Sequence, residues 1–206
     1  MENLSKAHAT FFTITVFIMK ASATNLNQTQ IAENVVDRCK KGDVRAFREL
    51  YDAYAGAMYN ICLRMTNNVS DAEDTLQEAF IQVHRNIGKL EREQSVSAWI
   101  KRIVVNHCLN TLRKKKVYFE EVDEVEVMAE DGIDEAQFTW TVAAVKSAIH
   151  GLPQGYRTVL NLYLFEEYSH REIAEMLGIT ESTAKTQYMR AKEKVRQIVK
   201  QQNVTR

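Results

Sequence analysis

The sequence predicts an all-α protein made of two small helical domains joined by an acidic linker. Composition points there first. A single proline and seven glycines in 206 residues supply too few turn residues for an all-β domain, while Ala, Leu, Glu, Lys, Arg and Gln are abundant. Apolar residues then recur at spacings of three and four within 31–116 and again within 138–200. Between these stretches the period is lost, and residues 118–137 hold nine acidic residues with neither Lys nor Arg. Residues 117–137 are therefore read as a linker with little fixed structure.

In the first stretch, Ile31, Val35, Val36 and Cys39 share one helical face, and Gly42 ends the run. Asp43 is placed to cap a second helix, in which Phe47, Leu50, Tyr51, Tyr54, Met58, Ile61, Cys62 and Met65 repeat. Asn67-Asn68 breaks it. Ser70-Asp71-Ala72-Glu73 has the form of a capping box, with Ser70 as N-cap and Glu73 reaching back. The helix it opens turns Leu76, Ala79, Phe80, Val83 and Ile87 inward. Residues 88–96 are polar and read as a loop. Trp99, Ile100, Ile103, Val104, Cys108 and Leu112 form a fourth stripe, ending in Arg113, Lys114, Lys115 and Lys116, where positive charge suits a helix C-terminus.

The second domain begins near Phe138. Val142, Val145, Ala148, Ile149 and Leu152 line one helix, stopped by Pro153, and 156–165 is another, rich in Leu. Ser169-His170-Arg171-Glu172 is a second capping box. It opens a short helix with Ile173, Ala174 and Leu177 inside. Gly178-Ile179-Thr180 is a tight turn in which Thr180 can cap the last helix, from Glu181 to about Lys200. Ala184, Tyr188, Ala191 and Val195 face inward there.

The formal net charge is zero, but it is unevenly spread. Lys185, Arg190, Lys192, Lys194, Arg196, Lys200 and Arg206 stand against Glu193 alone in 182–206, and 101–116 is also basic. Two basic segments separated by an acidic one are how a nucleic-acid binder averages to neutrality. Cys39, Cys62 and Cys108 form no C-x-x-C pair and read as buried thiols of a cytoplasmic protein. The apolar run 11–19 is shorter than the roughly 20 residues that span a bilayer, so no stable membrane insertion is expected. With Lys6 before it and Ala21-Ser22-Ala23 after it, the run faintly resembles a secretory signal; residues 1–30 are read instead as a tail, or as sequence upstream of a start at Met19.

A short capped helix, a glycine turn and a longer helix over 169–192 is the helix-turn-helix plan. Its second helix enters the major groove N-terminus first, and the outward residues are Ser182, Thr183, Lys185, Thr186, Gln187 and Arg190. These can bond phosphates and base edges; a plain solvated helix face is the competing reading. Trp99, Arg102, Asn106, Asn110, Arg113 and Lys114 mix an aromatic, amides and cations along one helix, as single-strand binders do, although Trp99 fits a core position equally well by period. Acidic residues at 71–78 suit any helix start.

An enzyme is weighed against these readings. Glu167-Tyr168-Ser169-His170 is a Glu-x-x-His string, but a di-iron site needs a second one, and none is present. His170 at a helix start reads as a solvated residue. With no metal spacing, phosphate loop or nucleophile motif, neither catalysis nor a cofactor or metal is expected.

The order of three segments carries a family resemblance. DAEDTLQEAF at 71–80 resembles the polymerase-docking helix of sigma factor region 2. AWIKRIVVNHCLNTLRKKK at 98–116 is similar to the promoter-melting helix of that region, and YSHREIAEMLGITESTAKTQYMRAKEKVR at 168–196 to the helix-turn-helix of region 4. GLPQGYRTVLNLYLFEEYS at 151–169 fits the stretch before it. The lack of a region 3 domain or region 1 extension resembles the extracytoplasmic-function (ECF) subfamily.

The resemblance implies a region 2-like domain over 31–116, a linker over 117–137, a region 4-like domain over 138–200 and a tail over 201–206. It implies that Asp74, Leu76, Gln77 and Glu78 dock on the clamp coiled coil of core RNA polymerase. It implies that loop 88–97 and Asn106 capture an unstacked −10 base, with Arg113 and Lys114 at the phosphate-holding end; Trp99, Arg102 and Asn110, read above from their types, lie on the same helix. It implies that Ser182, Thr183, Lys185, Thr186 and Arg190 read the −35 element, in a domain that sits near the polymerase flap. An anti-sigma factor is the further implied partner. The acidic linker is either a nucleic-acid mimic in the polymerase channel or a solvated spacer. The family often has Gly, Val, Arg and Leu at Ser182, Ala184, Gln187 and Tyr188, so a phosphate contact is expected to be lost at Gln187. Loop 88–97 lacks the family's usual Phe and Gly pattern, which leaves the −10 preference open. The rival within DNA binding is a stand-alone helix-turn-helix regulator, which leaves 71–116 unexplained.

Overall fold

Eight α-helices and no strands occupy the residues described in the computed structural model, which are 32–91, 95–115 and 141–204. The expected N-terminal tail and acidic linker lie outside the described residues. The described residues fall into two compact units, one holding 32–91 and 95–115 and the other 141–204.

The first unit has four helices: α1 (Ala32–Lys40), α2 (Val44–Thr66), α3 (Val69–Asn86) and α4 (Val96–Lys114). α2, α3 and α4 pack on one another, and α1 lies against α2. Leu50, Met65, Val83, Ile100, Val104, Leu109 and Leu112 are buried where the three longer helices meet, as the helical period requires. The three cysteines are buried and unbridged. Gly42 takes a left-handed turn (φ 82°) at the end of α1. Asp43 then caps α2 as expected, accepting from the amides of Arg45 at 2.9 Å and Ala46 at 3.3 Å. Arg38 donates to Asp43 and to Glu49; these bonds, Arg38 first, hold the Asp43 carboxyl below its ordinary range.

Two expectations need correction here. Ser70 is not the cap of α3. Asn67 ends α2 in the left-handed region (φ 55°), so Asn68 is the extended residue at the next helix start, and its side chain accepts from the Asp71 amide at 3.0 Å. Asn caps as well as Ser. The segment after α3 is also not wholly a polar loop. A 3-10 turn spans Ile87–Lys89, Leu90 is buried, and Lys40 Nζ donates to the Leu90 carbonyl at 2.6 Å. Ser95 then caps α4.

The second unit holds α5 (Val142–His150), α6 (Gln154–Leu164), α7 (His170–Leu177) and α8 (Glu181–Val204). α8 packs on the other three. Val145, Ala148, Leu160, Ala191, Val195 and Val199 form the core. α5 stops at His150, three residues before Pro153, which instead stands at the N-cap of α6. The short connection is held by Arg157. Its guanidinium donates to the carbonyls of His150 and Leu152, both at 2.8 Å, and also to Gln154. The Ser169–Glu172 capping box forms as expected, and Gly178 closes α7 at φ 71°. Thr180 Oγ1 accepts from the Thr183 amide at 3.0 Å and so caps α8.

Candidate nucleic-acid interface

α7, the Gly178 turn and α8 make the helix-turn-helix. A residue with a Cβ would be strained at φ 71°, and this glycine lets α8 start immediately after α7. Ser182, Lys185 and Thr186 are exposed on the first turns of α8, and Arg190 is half-buried one turn further on. Lys185 pairs with Glu181 at 3.0 Å in water. Such a pair is worth about 0.3–0.5 kcal/mol, so a phosphate can take the ammonium at little cost. Thr183 has a second task, because its hydroxyl lies 2.8 Å from that of Thr180 within the cap.

Gln187 must be corrected. It is 4% exposed and belongs to the interior, not to the outward set. Position 187 lies three after Ala184 and four before Ala191, both fully buried, so the helical period carries it inward. The expected loss of a phosphate contact at that position is therefore withdrawn. Met189, which sequence reasoning passed over, is 60% exposed beside Arg190. The same period that buries Gln187 turns Met189 out.

His170 is also corrected. It is half-buried, not solvated, with its ring stacked on Tyr163 at 4.3 Å and tilted against Tyr188 at 5.4 Å. Burial, then Lys185, lowers its pKa, and Glu181 opposes this weakly. Burial pushes the Tyr188 phenol up to about 12. The folded chain favours the neutral ring, so the unfolded chain binds the proton at higher pH. The stability is complete above the ordinary histidine value of about 6.5 and falls as pH drops through the lowered one. We expect His170→Phe, which can keep the stack, to flatten this fall. Hydrogen exchange of α6–α8 between about pH 7 and pH 5 reads it, and identical profiles for both proteins would reject the assignment.

On α4, Trp99, Arg102, Asn106, Asn110 and Arg113 follow one another at spacings of three and four and share one face. Arg102, Asn106, Asn110, Arg113 and Lys114 are exposed and Trp99 is half-buried. The face lies opposite Val104, Cys108 and Leu112 in the core. Arg113 donates to Asn110 Oδ1 at 3.0 Å, so these two side chains orient one another. Residues 92–94 of the adjoining loop lie outside the described residues.

On α3, Asp74, Gln77 and Glu78 are exposed on one face. Leu76 is not part of it. At 7% exposure it fills the core, and its place as a docking residue is corrected accordingly. Ile81, three residues after Glu78, is 51% exposed on the same face, a residue the sequence reading did not single out.

Residues 50–117 match Sigma-70 region 2, and residues 142–195 match Sigma-70 region 4. The ECF RNA polymerase sigma factor SigW of Bacillus subtilis is 33% identical over 176 residues, covering 78% of this chain and 92% of that protein. This chain belongs to the ECF RNA polymerase sigma factors. SigM of Mycobacterium tuberculosis is a further relative, 30% identical over 77% of this chain and 79% of its own length. Two solved structures share the fold of this sigma factor at 18% identity and a TM-score of 0.50. They are CnrH with the cytosolic domain of CnrY, covering 83% of this chain and 98% of that one, and RpoE with the anti-sigma factor NepR from Bartonella quintana, covering 76% and 98%. Among the described residues of the sigma factor, no helix is long and apolar enough to cross a membrane, and no group of His, Cys, Asp or Glu is placed to hold a metal.

Proposed function

We propose that this sigma factor docks on core RNA polymerase through the outer face of α3, holds the melted −10 strand along the outer face of α4, and reads the −35 element with α8. The observation that carries this is the α4 face. An aromatic, two amides and three cations lie in line opposite a core helix face, which suits a strand whose bases stack on rings and whose phosphates pair with cations. Asp74, Gln77, Glu78 and Ile81 are the docking residues. Ser182, Lys185, Thr186 and Arg190 are the −35 readers, near the polymerase flap. Met189 adds an apolar surface of the kind that meets a thymine methyl in the major groove. Two weak contacts held on one polymerase act at high effective concentration, which makes a promoter with both elements selective. The chain supplies binding and base capture, and polymerase does the chemistry. The solved RpoE–NepR pair supports an anti-sigma factor as the regulatory partner, and the protein acts in the cytoplasm.

Run-off transcription with bacterial core polymerase and a promoter library tests the reading. Discrete transcripts that depend on the added protein are expected. DNA binding without transcripts would favour the stand-alone regulator. Lys185→Ala or Arg190→Ala is expected to lower −35-dependent transcription about five- to thirtyfold, the scale of one base or phosphate contact. Affinity for core polymerase should stay unchanged, and an equal loss there would overturn the division of labour.

A further inference from the structure

Three polar pairs cross the seam between α3 and α4. Glu78 Oε2 lies 3.6 Å from His107 Nδ1. The hydroxyls of Thr75 and Thr111 are 3.1 Å apart. Lys115 Nζ donates to Asp71 Oδ2. Positions 71, 75 and 78 rise along α3 as 115, 111 and 107 descend along α4, so the pairs form a ladder between antiparallel helices.

The rungs differ in what they can do. Each outer rung has one exposed member, Glu78 at 55% and Lys115 at 52% against His107 at 18% and Asp71 at 20%, and polar pairs open to water on one side add little stability. Thr75 is 1% exposed. If α4 slid or turned on α3, its hydroxyl would lose Thr111 in a place water does not reach. A buried hydroxyl left without its partner keeps the penalty of leaving water and gains nothing for it. Apolar neighbours such as Ala72, Ala79, Val104 and Cys108 carry no such penalty, because dispersion contacts are not directional. A polar pair with one fully buried member, Thr75 against the half-buried Thr111, can therefore fix a helix register that the apolar seam leaves soft. The ladder also touches both working faces. Glu78 belongs to the docking face itself, Thr75 follows Asp74, and Thr111 and Lys115 follow Asn110 and Lys114 of the strand-holding face.

We propose that the Thr75–Thr111 pair sets the register of α4 on α3 and so transmits polymerase docking into placement of the −10 strand. This rests on the docking and strand-holding faces assigned above. Thr75 and Thr111 are positioning residues; neither touches DNA or polymerase. The outer rungs brace the register, and a polymerase group that recruits Glu78 draws directly on the Glu78–His107 rung.

The test uses the full chain with core polymerase and a promoter that it melts. Thr75→Val and Thr111→Val keep the shape and remove the hydroxyl. Permanganate reactivity of −10 thymines gives the opening rate, and titration of core polymerase gives docking affinity. Either variant is expected to open the promoter about fivefold more slowly, the scale of one net hydrogen bond, with docking affinity unchanged. The double variant should be no slower than either single, since both remove the same interaction. Thr111→Ser, which restores a hydroxyl, should recover wild-type opening. Wild-type opening rates in both valine variants would overturn the proposal while leaving the functional reading intact. Equal loss of docking and opening, with no recovery by serine, would reduce the pair to a packing role and also overturn it. Failure of the wild-type protein to melt any promoter would overturn the functional reading, and the coupling with it.

Discussion

Ile81→Arg is expected to weaken association with core polymerase by about thirtyfold or more. Ile81 stands on the same α3 face as Asp74, Gln77 and Glu78, half exposed in the free chain. Covering the exposed half of an isoleucine contributes about 1 kcal/mol. An arginine in its place forfeits that and carries a charge into a drying interface, where an i,i+3 pair with Glu78 offsets only part of a desolvation cost of about the same size. Together these give about 2 kcal/mol, or thirtyfold. Asp74→Ala with Gln77→Ala removes polar contacts alone and should cost less, about five- to tenfold. None of these side chains supports the core, so thermal stability should hardly change. Leu76→Ala is the contrasting control. It leaves a cavity in the first unit and should lower stability by about 2–4 kcal/mol, with any binding loss following from that. A titration of labelled protein with core polymerase separates the cases, and unchanged affinity for Ile81→Arg would remove polymerase from this face.

Arg157→Met should destabilise the second unit by about 2–4 kcal/mol and abolish −35-dependent transcription. Arg157 is 6% exposed and donates to the carbonyls of His150 and Leu152, where α5 turns into α6. The last carbonyls of a helix have no partner within it. Methionine fills the space but donates nothing, so two carbonyls lose their bonds at about 1–3 kcal/mol each. Relief from burying a guanidinium, which already lowers its pKa, offsets part of this. For a unit of this size the melting temperature should fall by roughly 15–30 °C. Hydrogen exchange should quicken in α5–α8 and stay unchanged in α1–α4. A stable Arg157→Met protein would show that the α5–α6 connection does not depend on this residue.

Much of the fold was legible because it is written in local chemistry. Asp43, Ser169 with Glu172, Gly178 and Thr180 mark helix ends by side-chain bonds or backbone freedom that act within four residues. The α3 boundary was misplaced because two adjacent candidates, Asn68 and Ser70, both make good caps, and the end of α2 decided between them. The candidate faces were legible in outline. Reading residue type instead of helical position put polar Gln187 on the surface and left Ile81 and Met189 out.

By itself the sequence determined the all-helical class, the helix-turn-helix and the sigma resemblance, because periodicity, caps and motif order are properties of neighbouring residues. Only the tertiary structure decided which side chains are presented. His170 stacks on Tyr163 and tilts against Tyr188, and Thr75 finds Thr111 across 36 residues. Those partners come from how helices pack, which no local pattern encodes.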